Sequence, residues 1–272
     1  MPPKRTPSPE PAPPIHKKPA VRVRPVPAVS RSIAILRFLG NAKQGLGVKA
    51  IAHELGLVPS TCLHILRVLV SEELVSVDLG TKRYSLGSGM ISLARSVLES
   101  SGFAQLAQPA LDRLASTRGV TAMGVEITAR QSVVVLALSR SNQPFRLHTD
   151  VGSQFSNLAS ATGRLIAAHS GENWTQLRPQ FNATPWDKKP SFDTWKKEVE
   201  LAREQGFSVD RDNFMSGLTV VAVPICSSSG TLTHTLVAAG MSSQLNATET
   251  TELAATMRRE ARAIADLMGA RA

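Results

Sequence analysis

Two short apolar-periodic segments, separated by a three-residue turn that opens with a glycine, set the tightest limit on what this chain can fold into. In "VKAIAHEL" Ile51, Ala52 and Leu55 fall on one side of a helix, and Gly56 follows as its stop, because glycine enters the left-handed backbone region at least cost. Pro59 and Ser60 then open "PSTCLHILRVLV", where Cys62, Ile65, Leu66 and Leu69 recur at i, i+3, i+4 and i+7. Proline in a first turn forfeits no hydrogen bond. Upstream, Ser30 reads as the N-cap of "RSIAILRFLGN", whose Ile33, Ile35, Leu36, Phe38 and Leu39 form a broad stripe that Gly45 and Gly47 end. Downstream, "LVSV" and "RYSL" flank "DLGTK", the pattern of a β-hairpin. Helix, helix, tight turn, helix and basic-tipped hairpin make a winged helix-turn-helix over residues 28–88.

Such a unit presents the N-terminal end of its third helix to a DNA major groove. Ser60 and Thr61 there can satisfy free helix N–H groups or bond phosphate oxygens. Leu63, His64 and Arg67 project on the next turns, and Lys82 and Arg83 sit near the hairpin tip, suited to backbone or minor-groove contacts. Each has a plain structural alternative: Ser60 as a cap, Leu63 as core, Lys82 and Arg83 as a solvated turn.

Charge supports a polyanionic partner. The net charge is +10, and it is unevenly placed. Residues 1–27 hold six Lys/Arg against Glu10 alone, residues 28–95 hold eight against four acids, and residues 96–272 are nearly balanced. The first 27 residues also carry ten of the seventeen prolines, so they read as an extended, disordered tail. Cys62 and Cys226 give neither a disulfide framework nor a metal-spaced cluster. With no apolar run of roughly 20 residues and no secretory leader, the expected setting is the cytoplasm, with no membrane partner.

Residues 89–104 read as a helical linker within a helical stretch running from about Met90 to Thr117 and broken near Ser101–Gly102. Residues 105–272 then mix strands and helices without a βαβ rhythm. "VTAMGVEIT" and "QSVVVLALS" form a hairpin about Ala129–Arg130. "SNLASATGRLIAAH" turns into a helix, and "FDTWKKEVELAREQGF" is a helix stopped by Gly206. Two strands follow in "GLTVVAVPICSSSGTLTHTLVAAGMSS", about Ser227–Gly230. The chain closes on a helix capped by Thr248 or Thr250. The class is α+β with an antiparallel sheet.

The run "AVSRSIAILRFLGN…GVKAIAHELGLVPSTCLHILRVLVSEELVSVDLGTKRYSLGSGMISLARSVL" resembles the N-terminal domain of the IclR family of bacterial transcriptional regulators, and the likeness extends over about residues 28–268. In that family a serine-threonine pair opens the recognition helix and a "YRLG"-type strand closes the wing, here "YSLG" at Tyr84–Gly87. The family's usual lysine before the serine is Pro59 here, and its His-Arg pair is Leu63–His64, which sets the operator apart. The resemblance implies a GAF-like second domain with a sheet curved round a small-molecule pocket. It implies pocket contacts at Ala161, Thr162 and Gly163, at Asp210, and at strand positions Val220, Val237 and Ala239. It further implies a homodimer or homotetramer on a palindromic double-stranded DNA operator.

The residues themselves fit an acid effector. A helix start after "SAT" offers unpaired N–H groups to a carboxylate, and Asp210 can accept a hydroxyl or remain protonated beside a carboxylate; the plain alternative is that Thr162 caps a helix and Asp210 ends a strand. Family members that take short oxo-acids carry cysteine or serine where this chain has Val220, Val237 and Ala239. An apolar wall leaves a small hydrophilic acid's hydroxyls unpaired, at about 1–3 kcal/mol each. A more apolar, aromatic acid is therefore expected. The rival readings are an enzyme and an effector-independent DNA-binding protein whose C-terminal half only oligomerises. No nucleophile elbow, phosphate loop, dinucleotide fingerprint or zinc-helix motif is present, and no cofactor is expected. His53, Cys62 and His64 make no metal set, since Cys62 should point inward and His64 outward; His148 and His169, flanking the expected pocket, read as ordinary histidines.

Overall fold

The computed structural model describes residues 26–100, 102–128, 132–141, 147 and 149–269, and the chain divides into two compact units between Ala94 and Arg95. The first unit holds α1 (Pro27–Asn41), β1 (Leu46–Gly47), α2 (Val48–Glu54), α3 (Pro59–Ser71), β2 (Val75–Asp78), β3 (Arg83–Leu86) and the start of α4 (Gly89–Ser100). Gly56 ends α2 at φ 60°, with Leu57 N–H donating to Ala52 O at 2.8 Å and Gly56 N–H to His53 O at 3.2 Å. That reciprocal pair satisfies two of the helix's orphan carbonyls and turns the chain sharply. α2 and α3 consequently meet at 113°, within the helix-turn-helix range. Ile35, Leu39, Ile51, Ala52, Cys62, Leu66 and Leu69 close one core with Val75 and Tyr84 of the hairpin. β1 pairs with β3 and β3 with β2, all antiparallel, completing a three-stranded wing.

Two sequence expectations need correction here. α1 begins at Pro27 with Val26 in the N-cap place, so Ser30 lies inside the helix; proline's fixed φ suits a first helical position better than a serine cap further in. The expected tail thus yields its last residue to α1, and residues 1–25 lie outside the described part. Leu63, open between core packing and a base contact, is partly exposed and packs against the core of this unit.

The second unit runs from the end of α4 through α5 (Gly102–Arg118), β4 (Thr121–Ile127), β5 (Ser132–Ser139), β6 (Gln154–Ser156), α6 (Ser160–His169), α7 (Trp174–Ala183), α8 (Phe192–Gln205), β7 (Ser208–Arg211), β8 (Leu218–Cys226) and β9 (Leu232–Met241) to α9 (Ala247–Gly269). Its six-stranded antiparallel sheet has the order β6-β5-β4-β9-β8-β7. Both faces are covered, so the strands read as near-continuous apolar runs, yet the period of two still sorts them. Val221, Val223, Leu236 and Ala238 pack beneath α5 and α9. Val220, Ala222, Val237 and Ala239 pack on the opposite face, under α6 and α8. On that side all three tryptophans, Trp174, Trp186 and Trp195, gather about Phe181 and Phe192.

Local signals explain several boundaries. Gly206 ends α8 at φ 70°, as its position predicted. α7, missed by the sequence reading, starts from a reciprocal cap in which Asn173 and Gln176 each accept the other's backbone N–H. α9 is capped the same way by Asn246 and Glu249, at 3.0 and 2.8 Å, and not by Thr248 or Thr250. The expected break at Ser101 and the Ala129–Arg130 turn lie outside the described residues. No described helix is long and apolar enough to cross a membrane alone.

Candidate functional site

On the first unit, α3 begins at Pro59 with Val58 at the N-cap and no side-chain cap bond, so Ser60 does not serve as the cap. Ser60, His64 and Arg67 are exposed and Thr61 partly so. Lys82 stands at the hairpin tip with φ 54°, its N–H bonded to Asp78 O at 2.8 Å. Arg83 is exposed too, and its Nη1 donates to Gly45 O at 2.9 Å, tying the wing to the segment before β1. Cys62 is buried while His53 and His64 are exposed, and no set of three metal-ligating side chains occurs among the described residues.

On the second unit a cavity of about 130 Å³ lies between the sheet and the start of α6. The strand register builds its floor. Asp210, Val220, Ala239 and Thr121 lie directly across from one another on β7, β8, β9 and β4, and Ala222, Val237 and Met123 form the next row but one. Val220, Val237, Ala239 and Thr162, all anticipated from the sequence, line the cavity. Met123, Leu147, Thr149, Phe155, Ser160 and Phe214 line it too and were missed. Only the "SAT" helix start pointed towards Ser160; Thr149 and Phe214 come from loops with no periodicity to read.

Three expected contacts lie off the wall. Ala161 is fully buried, and its carbonyl accepts the Ser208 hydroxyl at 2.6 Å. Gly163 is a packing glycine: a Cβ there would sit 2.1 Å from the Leu158 carbonyl carbon, so the helix start can lie against residue 158 only without a side chain. Asp210 ends the floor's row, but Nη1 of Arg164 stands 2.8 Å from its Oδ1, so it faces an arginine and not the cavity. Its Oδ2 accepts Phe214 N–H at 3.0 Å. Arg164 is itself buried; it also donates to Ser160 O at 2.9 Å and pairs with Glu198 at 2.7 Å. This charged cluster lies behind the cavity wall and holds two of its members, Ser160 through the carbonyl and Phe214 through the amide. His169, expected to flank the pocket, ends α6 with Nδ1 2.8 Å from Leu165 O; His148 lies outside the described residues.

The wall is apolar apart from a few hydroxyls. Thr149 Oγ1 and Ser160 Oγ are buried with no hydrogen-bond partner among the described residues. Ser160 starts α6 at φ 56°, a left-handed residue leading into helical ones, which turns consecutive N–H groups to one side as an anion-binding nest does. Phe214 and Met215 close the cavity from the loop after β7. Three carboxylates clasp that loop: Asp210 on Phe214 N–H, Asp187 on Ser216 N–H at 2.8 Å and Asp212 on Gly217 N–H at 2.8 Å. Bonds from Ser216 hold the Asp187 carboxyl below its ordinary range; bonds from Ser242 and Gly217 do so for Asp212.

A winged helix-turn-helix unit followed by a curled antiparallel sheet with a walled cavity defines a ligand-responsive DNA-binding regulator. Comparison with known proteins specifies the class. The family model of the bacterial transcriptional regulator IclR C-terminal region matches residues 95–266, and that of the IclR helix-turn-helix domain matches residues 28–79. The chain belongs to the IclR family of transcriptional regulators, and its relatives are regulators, not enzymes. It is 26% identical to the HTH-type transcriptional repressor AllR of Escherichia coli (strain K12) over 252 residues, 90% of this chain and 91% of that protein. Among solved structures it resembles an IclR transcriptional regulator from Alicyclobacillus acidocaldarius at TM-score 0.77 and 24% identity, covering 89% of this chain and 99% of the other. The Thermotoga maritima IclR aligns at TM-score 0.65 and 20% identity, over 89% and 98% of the two chains.

Proposed function

We propose that this protein is a cytoplasmic transcriptional repressor whose grip on its operator is changed by a small carboxylic acid with an apolar, preferably aromatic, body. The likeness to AllR, named a repressor, suggests the direction of control. On the DNA side α3 enters the major groove, with Ser60 and Thr61 at phosphates and His64 and Arg67 towards base edges, while Lys82 of the wing meets the backbone. Binding as a homodimer or homotetramer matches two-fold protein symmetry to a palindromic operator.

One observation carries the effector reading: two buried hydroxyls, Thr149 Oγ1 and Ser160 Oγ, border a largely apolar cavity without partners among the described residues. An unsatisfied buried hydroxyl costs about 1–3 kcal/mol, so a ligand accepting from both recovers that energy on binding. A carboxylate does so, and the helix start at Ser160 adds N–H groups and the positive end of a helix dipole. Val220, Val237, Ala239 and Met123 leave mainly apolar surface for the rest of the ligand. By displacing the packing around Phe214 and Ser160 the acid favours one arrangement of the oligomer over another, and it shifts operator affinity only by its difference in affinity for the two, typically about 1–3 kcal/mol.

Calorimetry with benzoate-like and glyoxylate-like panels tests this. Benzoate-like acids should bind more tightly and alter binding of a duplex from the protein's own promoter region. Val237→Ser should move the preference towards the short polar acids. An unchanged preference in that variant, or tightest wild-type binding of the polar acids, removes the apolar-wall argument.

A further inference from the structure

The wing ends in an apolar side chain for which neither the core nor the charge pattern has a use. Leu79 is 74% exposed, more than any other large hydrophobic residue described. It lies in "DLGTK", at a turn where polar residues and glycine are the usual occupants. The turn is fixed. Asp78 Oδ1 accepts both Gly80 N–H at 2.8 Å and Thr81 N–H at 2.9 Å, and Lys82 N–H closes back onto Asp78 O at 2.8 Å. At the base of the tip Asp78 faces Arg83 across the ladder, and Arg83 is anchored to Gly45.

From this geometry we infer that Leu79 is a DNA contact: an apolar tip that the wing lays against the sugar edges and base floor of a minor groove. The inference rests on the proposed placement of α3 in the adjoining major groove. A rigid tip surrenders little conformational entropy on docking, so even one leucine is useful there. The charges around it are consistent with a phosphate-flanked groove. Lys82, at φ 54°, stands three residues on, while the tip's carboxylate is turned onto two amides. Apolar side chains seated in minor grooves are a known means of widening and bending the duplex. They read the groove's shape and flexibility more than its hydrogen-bonding pattern.

The test uses the full-length protein, a duplex from its own promoter region and a salt series. Leu79→Ala should weaken binding about tenfold, the value of a partly buried leucine side chain. It should leave the slope of log affinity against log salt unchanged, because no phosphate contact is lost. Leu79→Met should restore most of the affinity, and hydroxyl-radical footprints should lose the minor-groove protection flanking the α3 site. Wild-type affinity in Leu79→Ala overturns the inference, as does a loss traced to a changed oligomeric state, which would make Leu79 a contact between copies. If wild-type protein binds no duplex, the DNA reading itself fails; if only the Leu79 variants match wild type, that reading stands and this one falls.

Discussion

At the scale of single residues, exposure and engagement separate side chains that the sequence left equivalent. Arg67 is exposed on the outer face of α3 with no side-chain bond to the described residues, whereas Arg83, also exposed, donates to Gly45 O. Arg67→Ala should therefore weaken operator binding by about 1–3 kcal/mol and relax preference at one base position. Lys82→Ala should weaken all duplexes alike and reduce the salt slope by about one. Anisotropy titrations against operator and scrambled duplexes distinguish the two. Arg164 poses a different problem. It and Asp210 are both 1% exposed, so Arg164→Met strands a buried carboxylate and should lower unfolding free energy by about 3–5 kcal/mol, measured by urea denaturation. Pairing it with Asp210→Asn should recover much of that loss. The resemblance marked Asp210 as a ligand contact, and the sequence held no sign that an arginine one turn and a half into α6 would claim it. A salt bridge between residues 46 positions apart has no periodic signature.

Elements were legible where one face is buried and one is not. The spacing of Cys62, Leu66 and Leu69 and the stop at Gly56 follow from a period matched to a single core, whereas β8 and β9, buried on both faces, were legible as apolar runs bounded by turn residues. α7 was lost because its stability comes from a cap and an aromatic cluster, with Pro179 interrupting the pattern. The cavity was legible only where strands build it, since residues such as Thr149 and Phe214 sit on loops. β9 also carries a titration. Burial against α5, where Phe103 lies 4.1 Å ring to ring, pushes the His234 imidazole from its ordinary 6.5 down to about 4. The folded state resists protonation that the unfolded chain accepts. Its contribution is thus complete above pH 6.5 and is lost as pH falls towards 4, up to roughly 3 kcal/mol. Denaturation curves between pH 7 and 4 should show this decline, and His234→Gln should flatten it.

For the whole molecule, the order of strands has a consequence in time. The sheet's central seam joins β4 to β9, residues separated by more than a hundred positions, whereas the core on which α3 and the wing pack is drawn from residues 35–84. A chain emerging from the ribosome therefore carries a finished reader well before its sensor can close. Until Leu232–Met241 has been made, β4 has an open edge, and the cavity lacks Val237 and Ala239. An early-terminated chain could still occupy promoter DNA, deaf to any metabolite and competing with its complete siblings.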